Sequence, residues 1–140
     1  MTSDPAGALQ IGIAAVLAGS DALAGIVGDR VYAPGQAAKD KARSITPYVE
    51  IGLIHVLDDD NQFDGDTEAY VTLDIWADGD RGDLDAKAAS KAIKEACSDE
   101  IALDGFTITD NGPHDVLHRG GADGLSAHSV LTLHYLISPA

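Results

Sequence analysis

Between residues 69 and 77 the chain alternates with a strict period of two. Ala69, Val71, Leu73, Ile75 and Ala77 fall on one side of an extended segment, and Tyr70, Thr72, Asp74 and Trp76 on the other. Successive side chains of a strand point to opposite faces, so this pattern predicts a half-buried β-strand whose aliphatic side enters a core. An all-helical fold is thereby excluded, and some other layer must cover the aliphatic side. Residues 48–57 form a second β-branched and aliphatic run, and the polar stretch 58–66 between the two reads as the turn of a long hairpin. Leu131, Leu133, Tyr135 and Ile137 alternate again in a last strand. Residues 106–110 and 116–118 predict one further strand, bent or bulged at Gly112-Pro113.

Helical signals fill the remainder. Asp4 suits an N-cap and Pro5 a first turn, and Leu9, Ile13, Val16 and Leu17 then follow the spacing of one buried stripe. Gly19 is a stop, Ser20 or Asp21 can cap a second short helix through Ile26-Val27, and Gly28 ends it. Arg30-Val31-Tyr32 reads as a brief extended piece, and residues 33–46 as a loop. Asp83 is placed to cap a helix of about 15 residues with Leu84, Ala88, Ala89, Ile93, Ala96 and Cys97 on its apolar face and Lys87, Lys91 and Glu95 on its polar one. Strands joined by short turns, with helices gathered rather than alternating, predict an α+β fold. The expectation is one domain over residues 1–140, with an antiparallel sheet of about four strands and helices on one face.

Charge narrows the partners. Twenty-three acidic residues against nine basic ones give a net charge of −14. Phosphate binding gains from counterion release by clustered Lys and Arg, and the nearest such cluster in the chain, Lys39, Lys41 and Arg43, is interrupted by Asp40. The expectation is a surface that repels DNA rather than grips it, with no attraction to an anionic membrane. The apolar run 11–18 lacks a basic leader and is far shorter than the ~20 residues of a membrane span, so it reads as a core helix. A single cysteine, Cys97, forbids an internal disulfide and a cysteine zinc cluster.

Candidate chemistry is sparse. Asp60, Gln62, Asp64 and Gly65 begin a calcium-loop pattern, but the twelfth position is Val71 in place of the closing glutamate. His114 and His118 sit about 13 Å apart along an extended segment, too far to share a metal, and read as sheet-face histidines. Cys97 reads as a buried small hydrophobe, and Gly124–His128 lacks the second glycine of a nucleophile elbow. The Arg81-Gly82-Asp83 tripeptide marks a helix start. No enzyme, cofactor or metal is expected. The feature that asks for more is the second sheet face: Tyr70, Thr72 and Trp76, joined by Val130 and Leu136, are partly apolar where a small monomer would be wet. Either a helix covers this face or a partner does.

The ordered landmarks also resemble a known family. Gly28-Asp-Arg-Val-Tyr32 after a short helix, Pro47-Tyr-Val-Glu-Ile51, Leu73-Asp-Ile-Trp-Ala77 before a Gly/Asp turn and an alanine-rich helix, and Asp123-Gly-Leu-Ser-Ala-His-Ser-Val-Leu-Thr-Leu133 resemble phage tail-terminator (tail-completion) proteins. The resemblance implies a structural subunit that forms a homo-oligomeric ring, a hexamer, on the head-proximal end of the tail tube. There it would stop tube growth and meet both the tail tube protein and the head connector or stopper, while DNA passes without specific binding. It implies a place in the virion tail of a phage, prophage or gene transfer agent, assembled in the bacterial host cytoplasm. The expected interface residues are Tyr70, Thr72, Trp76, Phe63, His128 and His134. The competing readings are another head–tail neck component and an unrelated small-molecule binding domain.

Overall fold

A computed structural model describes residues 5–34, 47–58, 67–79, 81–98, 101–111, 114–120 and 126–139. Three helices and six strands follow in the order α1 (Ala6–Ala18), α2 (Asp21–Val27), β1 (Val31–Tyr32), β2 (Tyr48–Asp58), β3 (Thr67–Asp78), α3 (Gly82–Ser98), β4 (Phe106–Asn111), β5 (Asp115–Gly120) and β6 (Ser126–Pro139). The expected α+β architecture holds, but the sheet has six strands and is mixed. Its path is β1-β2-β3-β6-β4, with β5 also on β6. All pairings are antiparallel except β1 with β2, which is parallel. Arg30 explains that pair: its carbonyl accepts the Val49 amide and its Nε donates to the Pro47 carbonyl, both at 2.9 Å, so residues 30 and 47–49 are held side by side. Of the loop expected over residues 33–46, residues 35–46 lie outside the described residues. The expected single strand over residues 106–118 is two strands, each pairing with a different half of β6.

Local chemistry sets the helix ends. Pro5 occupies the N-cap of α1 without a side-chain bond, and Asp4 lies outside the described residues. Ser20 caps α2, its hydroxyl oxygen accepting the Leu23 amide at 3.2 Å. Gly28, at φ 61°, closes α2 in a conformation that side chains disfavour. The axes of α1 and α2 bend by 81°, and no described helix is long and apolar enough to cross a membrane. Asp83 lies within the first turn of α3, not at its cap, and pairs with Lys87 at 3.0 Å.

The core lies between the helices and one face of the sheet. From the helices it takes Leu9, Ile13, Leu17, Leu23, Val27, Ile93 and Cys97, and from the sheet Val71, Leu73, Ile75, Leu131, Leu133, Tyr135 and Ile137. The apolar face of α3 differs from the expected one. Ala86, Ala89, Ser90, Ile93 and Cys97 are buried, while Leu84 is 59% exposed and Ala88 is also exposed. An alanine-rich helix offers several apolar stripes of similar strength. The buried stripe is the one whose small side chains allow close approach to the sheet, and the Ser90 hydroxyl is satisfied by the Ala86 carbonyl at 2.8 Å.

Gly12 marks another close approach. A Cβ there would stand 2.8 Å from Leu103 Cδ2 and 3.0 Å from the Ala102 carbonyl oxygen. Overpacking costs about 1–3 kcal/mol, more than the ~1 kcal/mol of helix propensity that alanine would add. Gly12→Ala is therefore expected to lower the urea midpoint, and a raised midpoint would show that the 101–103 segment yields freely.

Candidate assembly surface

The other sheet face is open: none of the described helices packs over it. The register of β3 on β6 builds it row by row, with Trp76 opposite His128, Asp74 opposite Val130, Thr72 opposite Thr132, Tyr70 opposite His134 and Glu68 opposite Leu136. Period-two alternation puts these ten side chains on the side away from the core. Five of the six residues expected from the sequence, Tyr70, Thr72, Trp76, His128 and His134, therefore share one surface. Phe63 lies outside the described residues.

Two clusters of the same design stand on this face. In the first, the Trp76 ring stacks on His128 with centroids 3.7 Å apart and planes 8° from parallel, and His128 Nε2 lies 2.8 Å from Asp74 Oδ1. In the second, Tyr70 stacks on His134 at 4.6 Å and 17°, and His134 Nε2 lies 2.7 Å from Glu68 Oε1. Each carboxylate sits two residues before its aromatic on β3, on the same face, and each histidine comes directly across from β6. An ionised carboxylate only accepts, so each imidazole donates from Nε2. The rings are thus held in fixed orientations, and the carboxylates are occupied in holding them.

Tyr70 also donates to Glu68 Oε1, at 2.7 Å. This bond first, and that from His134 second, hold the Glu68 carboxyl below its ordinary pKa of 4.5, while the same contact pushes the Tyr70 phenol up. The folded pKa lies below the unfolded one, so the stabilisation is complete above about pH 4.5 and fades as pH falls through the folded value. Glu68→Gln should be less stable than the parent near pH 5 in urea titrations, and the gap should close on acidification. A gap unchanged down to about pH 3 would show that the pair contributes nothing through charge.

Further apolar side chains extend the surface. Leu57 pairs with Glu68 and Leu117 with Val130, which places both on this face, where they are 39% and 51% exposed. Leu53, at the β2 bulge, is 70% exposed, and Trp76 itself is 38% exposed. At that bulge Gly52 leaves room for Asp74, since a Cβ would stand 3.1 Å from its Oδ2. Tyr48, Glu50, Asp74 and Trp76 line an open groove of about 330 Å³. Leu53, Leu57 and Leu117 are absent from the residues expected on sequence grounds. The alternation of β2 and β5 around them is the signal that could have found them.

The remaining candidates have structural roles. Cys97 is buried and its thiol is pushed up to about 12 by desolvation, which removes it as a nucleophile. The Tyr135 hydroxyl donates to the Cys97 carbonyl at 3.3 Å. His114 accepts the His134 amide through Nδ1 at 3.1 Å, filling the gap where β4 gives way to β5. His118 Nδ1 and the Ser129 hydroxyl are 2.6 Å apart. Among the described residues no group of three His, Cys, Asp or Glu could hold a metal, and the calcium-loop pattern at Asp60–Gly65 lies outside them.

The open sheet face is thus partly apolar, with Trp76, Leu57 and Leu117 exposed on it. The profile of the family described as tail completion protein gp17 matches residues 12–138. No curated protein matches the chain in sequence. Solved structures share its fold, among them these two. One is a chain in the virion of a native gene transfer agent particle, with a TM-score of 0.78 and 22% identity over 98% of this chain and 99% of that one. The other is the bacteriophage SPP1 gp17 protein, with a TM-score of 0.58 and 19% identity over 93% of this chain and 88% of that one. Matched by the family profile over nearly its whole length, the chain belongs to the tail completion protein gp17 family, whose members are structural proteins of phage tails.

Proposed function

We propose that the protein is a non-catalytic subunit that caps the head-proximal end of a tail tube, ends its polymerisation and joins tail to head. It acts as a homo-oligomeric ring of six copies within the virion of a phage, prophage or gene transfer agent, after assembly in the bacterial host cytoplasm. The observation that carries this reading is the open sheet face with its paired aromatic–histidine–carboxylate clusters. Exposed apolar area of this kind, centred on Trp76 and Tyr70, suits burial against a neighbouring subunit, the tail tube protein or the head connector. Membership of a tail-completion family and the likeness to a chain of a gene transfer agent virion support the same reading.

The net charge of −14 fits a conduit. Acidic walls would let DNA slide past, where basic walls would hold it. Electron microscopy of particles made without the protein is the direct test. Loss of a tail terminator yields tails of uncontrolled length that fail to join heads. Finished tails beside leaking heads would instead assign the protein to head completion, and normal joined particles would remove it from assembly altogether.

A further inference from the structure

The chain holds only nine basic side chains, yet Lys87, Lys91 and Lys94 line one groove of about 350 Å³ between α3 and β5. Spacings of four and three place them along one stripe of the helix, where like charges repel. Lys87 is shared with Asp83 at 3.0 Å, whereas Lys91 and Lys94 form no ion pair among the described residues. The open sheet face carries the opposite arrangement in its groove of about 330 Å³. Glu50 stands directly across from Asp74 there, and like charges opposed on neighbouring strands are also unfavourable. Asp74 gives Oδ1 to His128, and Glu50 forms no ion pair among the described residues. Each patch would be relieved by a partner of opposite charge.

The acidic groove suits an ammonium group in particular. Tyr48 lies opposite Trp76 in the next row of the same face, so two aromatic rings wall the two carboxylates. Tyr48 is set edge-on to Tyr32 with centroids 5.8 Å apart, and Trp76 is stacked on His128 through one face. A lysine head placed there meets carboxylates and aromatic rings together, and little is lost to ordering because the rings are already held.

A chain cannot bring its own lysines to this groove. Val49 and Ile75, which alternate with the four lining residues, enter the core, so the groove faces away from the helix layer that carries the stripe. The strand β5 lies beyond β6, two strand spacings or about 10 Å from β3, with the sheet itself between the two surfaces. Both surfaces nevertheless sit at one level along the strands. Val116 and His118 of the lysine groove stand opposite Leu131 and Ser129, which pair with Leu73 and Ile75 on either side of Asp74.

We infer that the Lys87–Lys91–Lys94 stripe of one copy docks on the Tyr48–Glu50–Asp74–Trp76 groove of a second copy. The two patches are complementary in charge, share a level and are out of each other's reach within one chain. A second copy in similar orientation meets the groove by stepping across the strands, without sliding along them. The two surfaces differ, so the contact is heterologous and propagates head to tail, as a closed ring requires. This names the partner of part of the open face and rests on the ring reading above.

The test supplies charge-reversed chains to a producer lacking the native protein and measures the amount incorporated into purified particles. Glu50→Lys and Lys91→Glu are made singly and together in one chain. Neither side chain has an ion pair to lose among the described residues, so the purified variants should unfold at about the parental temperature. Each single reversal sets like charges against each other at every junction and should lower incorporation at least about tenfold. The doubly reversed chain restores opposite charges at every junction and should return to about the parental amount. Near-parental incorporation of either single variant overturns the pairing and leaves the terminator reading standing. A doubly reversed chain incorporated no better than the singles does the same. Absence of the parent chain from particles overturns both.

Discussion

Replacing Trp76 and Tyr70 together by alanine is expected to leave a folded subunit that no longer completes tails. Both rings stand on the open face, and Trp76 is 38% exposed, so truncation opens no cavity in the core. What the fold loses is two stacking contacts, each worth about 0.5–1.5 kcal/mol. It also loses the Tyr70 hydrogen bond to Glu68, and bonds to a carboxylate are worth about 1.5–3 kcal/mol at most and less at an exposed site. What an interface loses is larger. Aromatic anchors at the centre of a docking surface commonly carry about 2–4 kcal/mol each, equivalent to roughly thirty-fold to a thousand-fold in affinity per residue. His128 and His134 keep their carboxylate partners in the variant, so the sheet register should persist. The measurement pairs thermal unfolding of the purified variant with electron microscopy of particles made in its presence. Folded protein and over-long, headless tails are expected. Normal particles would show that this face is not where the subunit docks.

Much of the fold is legible in periodicity. The alternation over residues 69–77 places Val71, Leu73 and Ile75 in the core, and the last strand does the same for Leu131, Leu133 and Tyr135, because a two-residue period has one physical outcome once one face is covered. Ser20 is legible as a cap because its chemistry is local. What escapes is non-local. Val31–Tyr32 is too short to carry a period, and its parallel pairing with β2 depends on Arg30 meeting Pro47, 17 positions away in sequence. The phase of α3 is misleading in sequence because alanine is nearly indifferent to burial. Leu84 therefore dominates the pattern, although the sheet lies on the side of Ala86, Ser90 and Ile93.

The candidate surface divides in the same way. Tyr70, Thr72 and Trp76 are visible as the wrong residues for a wet face. Their locking partners are not, since Asp74 meets His128 across 54 positions of sequence and Glu68 meets His134 across 66. Only the β3–β6 register brings those groups together, and a register is a property of two strands at once. The lysine groove is hidden for the same reason. A search for consecutive basic residues finds residues 39–43, while the helical spacing of Lys87, Lys91 and Lys94 gains meaning only when β5 lies alongside.

Leu73→Ala should cost the fold far more than truncation of either aromatic on the open face. Leu73 is 0% exposed on β3, between Ile51 of β2 and Leu131 of β6, in the most enclosed layer of the sheet. Removing its branch forfeits burial and leaves a cavity that paired strands on both sides prevent from collapsing. Such losses run about 2–5 kcal/mol, and the upper half of that range applies where the surroundings cannot relax. Against a total of about 5–15 kcal/mol this is a large fraction, with a fall in melting temperature of roughly 10 °C or more. The control is Leu84→Ala, which the sequence pattern alone would rank as equally harmful. At 59% exposed it should shift stability by no more than about 0.5 kcal/mol. Urea titration separates the two, with the midpoint of Leu73→Ala falling at unchanged slope. Equal losses at both positions would mean that the isolated chain buries Leu84 against another copy, and that α3 is already part of a subunit contact in solution.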